Sequence, residues 1–177
     1  MPDFSLDIGD LPESPDQAKP SHIVDDFAYP VGFKFAFVGV GQAGGRIAKT
    51  FQELGYQRVC AINTAMSDLS ELKTFPDQSK LALGSQQGAG KEPAVAAAIA
   101  KDKDEDIFDL YTRALGPEVD YAFICLSGAG GTGAGIFAKA AAVAKKFMLA
   151  QKRPNRVGCI MAMPKDAEGQ RSATNIL

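Results

Sequence analysis

From residue 33 onward, short apolar runs alternate with longer stretches whose apolar residues recur at helical spacing. The runs at about 33–40, 58–62, 80–83, 120–126 and 156–162 predict strands. In the fourth run Tyr121, Phe123 and Cys125 alternate with Ala122, Ile124 and Leu126, so neither face is polar. That pattern predicts a central strand covered on both sides. After the first strand Ile47, Phe51 and Leu54 share one helix face, with Gly55 placed to end the helix. Pro93 opens an alanine-rich helical run to Ala100, and Ile107, Phe108, Leu110, Tyr111, Ala114 and Leu115 form one face of another. The acids at 102–106 suit the start of that helix better than a metal site. A long helix is predicted over roughly 134–150. Strands alternating with helices predict an α/β fold, a doubly wound parallel sheet with flanking helices.

Composition sharpens this picture in three ways. The chain is 46% hydrophobic, ample for one core, and contains no apolar run of membrane-spanning length. Residues 1–32 differ from the rest: seven acids stand against the single Lys19, with five prolines, which predicts a flexible acidic arm. Leu6, Ile8, Leu11, Ile23, Val24 and Phe27 are apolar anchors within it, and the lone histidine, His22, lies there too. The arm is set apart from a domain at 33–177, and histidine-based catalysis is excluded from that domain. Net charge is only −2, so Lys139, Lys145, Lys146, Lys152 and Arg153 read as cations suited to a helix C-terminus rather than as a nucleic-acid patch. Cys60, Cys125 and Cys159 all fall in predicted strands and read as buried small hydrophobes in a reducing cytoplasm.

Four loops carry the candidate chemistry. Between the fourth strand and the long helix, Gly128, Ala129, Gly130, Gly131, Thr132, Gly133 and Gly135 form a loop whose backbone can approach an anion closely. It holds no lysine, so charge must be met by N–H groups, the Thr132 hydroxyl and a metal ion. The first strand runs into Gly39, Gly41, Gln42, Ala43 and Gly44, a Gly-x-Gly-x-x-Gly spacing that fits a Rossmann-like dinucleotide site or close strand-to-helix packing. The dinucleotide reading wants an acid at the end of the second strand, where Asn63 and Thr64 stand instead. A third loop carries Gly88, Ala89 and Gly90. Lys91 follows, yet the spacing before it and Glu92 after it break a P-loop motif. A fourth, a polar turn after the last strand, holds Pro164, Glu168 and Arg171, which by themselves read as a solvated loop.

The sequence Ala-Gly-Gly-Thr-Gly-Ala-Gly at 129–135 resembles the tubulin/FtsZ signature Gly-Gly-Gly-Thr-Gly-Thr-Gly at five of seven positions. The other three loops fall in that family's order, and FtsZ- and TubZ-type prokaryotic or phage members are nearer than eukaryotic tubulin. The resemblance spans roughly 33–175. It implies a GTP/GDP-binding domain with Mg²⁺ beside the phosphates, held by Gly39, Gly41, Gln42, Ala43, Gly44, Asn63 and residues 128–133. Gly88, Ala89 and Gly90 would sense the terminal phosphate, and Pro164, Glu168 and Arg171 would lie near the sugar. Arg171 comes three residues after Glu168, where FtsZ-type sequences have four, which weakens its assignment.

The resemblance further implies a cytoplasmic GTPase that polymerises head to tail with copies of itself, in a bacterial, archaeal or phage-infected cell. It leaves room for an adaptor linking filaments to DNA or the cell envelope, with no direct nucleic-acid or membrane contact. The family's central helix, base-reading residues and the acid that completes a neighbour's active site lie past residue 177, so an N-terminal portion is expected and no catalytic residue is assigned. An NAD(P)-binding oxidoreductase domain and a nucleotide-free structural relative remain as alternatives.

Overall fold

Residues 32–84 and 88–163 are described in a computed structural model. The five apolar runs become β1 (Phe35–Val40), β2 (Val59–Asn63), β3 (Lys80–Ala82), β4 (Tyr121–Ser127) and β5 (Val157–Ala162), all parallel, in the order β3-β2-β1-β4-β5. In register, Val38 lies opposite Cys60 on one side and Ile124 on the other. The chain steps outward from β1 to β3, then returns across β1 to build the other half of the sheet. Right-handed crossovers therefore place the two sets of helices on opposite faces. The fold is the expected doubly wound α/β sheet.

One face carries α1 (Gly41–Glu53) and α2 (Met66–Ser70). Phe37 stacks on Phe51 of α1 with ring centroids 3.7 Å apart, and Ala48, Leu69 and Leu72 complete a small core there. The other face carries α3 (Pro93–Ile99), α4 (Asp104–Leu115) and α5 (Gly131–Ala150). Its larger core joins Val38, Ile62 and Ile124 to Ile107, Leu110 and Phe147. Each such side chain contributes roughly 1.5–3 kcal/mol when fully buried. Two polar side chains inside this core are paired with helix carbonyls. The Tyr111 hydroxyl donates to the Ala140 carbonyl at 3.1 Å. The buried Arg58 guanidinium donates to the Leu115 carbonyl, placing a cation at the C-terminus of α4, where the dipole favours it. Gly55, with φ +98°, ends α1 as its position predicted.

Three expectations change. The long helix starts at Gly131, not near 134, because glycines at 131, 133 and 135 give the close backbone approaches that override their poor helix propensity. The cations of α5 do not sit in its last turn: Lys139 and Lys146 both reach Asp104 of α4 and tie two helices together. Cys159 is exposed, unlike Cys60 and Cys125, because among the described residues β5 has a strand on one side only. Residues 1–31, with the apolar anchors of the arm, lie outside the described residues, as do 85–87 and 164–177, and so do Pro164, Glu168 and Arg171. Among the described residues no helix is long and apolar enough to cross a membrane.

Two measurements check this packing. A thiol reagent should modify one cysteine, Cys159, in the folded chain and all three in denaturant. Gly44→Ala should destabilise the fold by about 3 kcal/mol or more in urea unfolding, since its Cβ would lie 2.1 Å from the Cys125 carbonyl oxygen.

Candidate phosphate-binding site

β1 and β4 end side by side where the crossovers diverge to opposite faces, and each leads into a helix. Sheets of this kind open a crevice there. β1 passes into α1 with no intervening residue, a turn made possible by the φ of +74° at Gly41. β4 reaches α5 through Gly128, Ala129 and Gly130. Neither helix has a capping side chain or an acid in its first turn. The first N–H groups of both, and both positive dipole ends, face one place. The two ends touch: a Cβ on Gly41 would lie 3.0 Å from the Gly133 nitrogen.

A cavity of about 190 Å³ opens at that junction. Gly41, Gln42 and Ala43 form its α1 side, and Gly131, Thr132 and Gly133 its α5 side. Gly88, Ala89 and Gly90 close a third side. These nine sequence-predicted residues are brought together by three separate loops. The third loop is seated on α5, for a Cβ on Gly131 would lie 2.6 Å from the Glu92 nitrogen. Gly90 and Lys91 are consecutive residues of positive φ, +57° and +63°, a conformation that costs about 1 kcal/mol for a lysine. Such local strain concentrates where ligands bind.

The remaining expected residues stand behind the wall. Gly39 and Gly44 hold α1 against the sheet rather than facing the cavity. Gly128 donates its N–H to the Ala162 carbonyl at 3.2 Å, and the Ala129 N–H reaches Ser127 Oγ at 3.3 Å, so this turn fixes where α5 begins. Gly130 is the residue preceding that helix. Asn63 is buried; its Nδ2 donates to Asp68 Oδ2 at 2.9 Å, and its Oδ1 accepts from the Ala65 N–H at 3.2 Å. It thereby sets the direction of α2 and holds a carboxylate that does line the cavity.

Asp68, Ser127 and Lys91 are lining residues that sequence reasoning did not assign. Nothing in the local pattern singled out Asp68, because only the short helix after β2 turns it toward the crevice. Lys91 was visible as a cation beside a glycine loop, though in the wrong motif. The Thr132 hydroxyl is 2.8 Å from that of Thr64, which is fully buried at the end of β2. Burial raises the Cys125 thiol to about 12 and pushes that of Cys60 up further, so neither is a thiolate nucleophile near neutral pH. Among the described residues no group of three or more histidine, cysteine or acidic side chains could hold a metal by itself. The site therefore offers backbone donors, two hydroxyls, one carboxylate and one lysine, a set suited to an anion with an accompanying hydrated cation.

No family model matches the sequence. Tubulin-like protein CetZ1 of Haloferax volcanii is 32% identical over 114 residues, 58% of this chain and 29% of that protein. Tubulin-like protein CetZ of Pyrococcus abyssi is 29% identical over 143 residues, 78% of this chain and 38% of that protein. The solved structure of CetZ1 from Haloferax volcanii as a GDP-bound monomer aligns at a TM-score of 0.66 with 28% identity, covering 81% of this chain and 46% of that one. CetZ2 from the same organism, a GTPγS-bound protofilament, aligns at 0.66 with 24% identity over 81% of this chain and 44% of its own, a likeness of fold. The chain thus spans between 29% and 38% of the length of these curated relatives.

Asn63→Ala should lower stability by about 2 kcal/mol in denaturant unfolding, because it strands the Ala65 N–H and frees Asp68. A loss below about 0.5 kcal/mol, the range of an ordinary surface substitution, would show that the Asn63 bonds do not hold this corner.

Proposed function

The chain belongs to the tubulin/FtsZ superfamily, matching its N-terminal portion, and from that premise we propose that residues 33–177 bind GTP and GDP as the nucleotide-binding part of a filament-forming GTPase. The observation that carries this reading is the meeting of two uncapped helix N-termini at the sheet's switch point, under a third glycine loop. Their converging N–H groups and dipoles suit the dense negative charge of a polyphosphate.

In this reading the N–H groups at 41–43 and 131–133 hold the inner phosphates. Gly88, Ala89 and Gly90 close over the terminal one, and the Lys91 side chain adds positive charge at the same rim. Gly39, Gly44, Asn63 and residues 128–130 act by positioning. Asp68, a carboxylate on the cavity wall, would hold a hydrated Mg²⁺. Bound there, it would offset phosphate charge. The chain's own residues bind and orient the phosphates, and most phosphoryl-transfer catalysis is of that kind. Pro164, Glu168 and Arg171 are proposed to contact the sugar. Guanine preference and head-to-tail self-assembly, with GTP turnover completed at the subunit junction, are proposed on family membership. So are a cytoplasmic setting and an adaptor for the filaments.

Calorimetric titration of the purified chain with GTP, GDP, ATP and NAD in the presence of Mg²⁺ tests this. GTP and GDP should bind in preference to ATP, and NAD should not bind. Gly131→Val should abolish binding, since its side chain would displace the Lys91–Glu92 backbone from the cavity. Preferential NAD binding, or unchanged GTP affinity in that variant, would overturn the assignment.

A further inference from the structure

Thr64 follows β2 directly and is 0% exposed, and its Oγ1 lies 2.8 Å from Thr132 Oγ1, an ordinary O–H···O distance. A hydroxyl has one proton to give and can accept twice. Buried polar groups use their hydrogen bonds, and among the described residues the side-chain partner of the Thr64 hydroxyl is Thr132 Oγ1. Either hydroxyl could donate in this bond, but only with Thr64 donating and Thr132 accepting are both protons placed, one within the pair and one at the cavity. The proton of Thr132, which is half-buried on the cavity wall in the first turn of α5, is then left to turn toward the cavity.

We infer that Thr64 is a positioning residue: it fixes the polarity of the Thr132 hydroxyl so that Thr132 presents a donor, not a lone pair, to a phosphate oxygen of the bound nucleotide. This rests on the nucleotide reading and deepens it. A hydroxyl free to rotate would present either a proton or a lone pair to an anion, and the lone pair repels it. A neighbour that occupies the lone pair removes that choice before the ligand arrives. The same bond joins the exit of β2 to the start of α5, so the two walls of the crevice are aligned by the contact that orients the donor.

The test measures GTP and GDP affinity with Mg²⁺ for the full chain and for Thr64→Val, Thr64→Ser, Thr132→Val and the Thr64→Val/Thr132→Val double variant, with thermal unfolding as a check on folding. A hydrogen bond to a charged group is typically worth tenfold or more in affinity, so Thr132→Val and Thr64→Val should each weaken binding by about tenfold. Thr64→Ser should restore it, and the double variant should bind no worse than Thr132→Val alone, the non-additivity of residues acting through one another. Should Thr64→Val not fold, Thr64→Ala carries the same comparison. Wild-type affinity in Thr64→Val or its Thr64→Ala substitute, or additive losses in the double variant, would overturn this role and leave nucleotide binding standing. No GTP or GDP binding by the unsubstituted chain would overturn the nucleotide reading and this role with it.

Discussion

The contact on which the candidate site depends is between two backbones, α1 lying on β4 with no side chain between them. At Gly44 the helix is so close to the Cys125 carbonyl that a single methyl group could not be inserted. The helix must therefore leave β1 at Gly41 without a connecting loop, and its N-terminus is brought against that of α5. Glycines at 39 and 44 look like ligand-approach residues in the sequence, but their work is this packing, one step behind the cavity they make possible.

Placing two positive dipole ends together is unfavourable in isolation. In most helices a capping serine, threonine or aspartate, or an acid in the first turn, would offset it. Neither α1 nor α5 has one, whereas α4, which takes no part in this crevice, starts with Asp104, Glu105 and Asp106. Internal neutralisation is thus absent where α1 and α5 meet, as it is at α3, and present at α4. The left-handed conformations at Gly90 and Lys91 add local strain to the same rim. Field and strain are relieved together by an anion, the physical basis for reading the crevice as a phosphate site.

The elements were legible because their signals are local. Alternation without a polar face marked β4, helical spacing marked α1 and α4, and Pro93 marked the start of α3. Nine of the expected binding residues meet at one cavity because glycine loops at strand ends fall on the same sheet edge in any doubly wound fold. What was missed is nonlocal. Asp68 reaches the cavity through a five-residue helix with no periodic signature, oriented by Asn63. The early start of α5 was hidden because propensity argues against glycine in a helix, while packing against Pro93 and Glu92 demands it.

The sequence by itself determined the alternation of strands and helices, the doubly wound class, and the three glycine loops at strand ends, since periodicity and backbone permissiveness are properties of neighbouring residues. Only the tertiary structure decided which glycines face the cavity and which serve packing, which carboxylate reaches it, and that the hydroxyls of Thr64 and Thr132, 68 residues apart, share one hydrogen bond. Those outcomes depend on the distance between two chain segments, which is set by how the helices seat on the sheet and not by either segment alone.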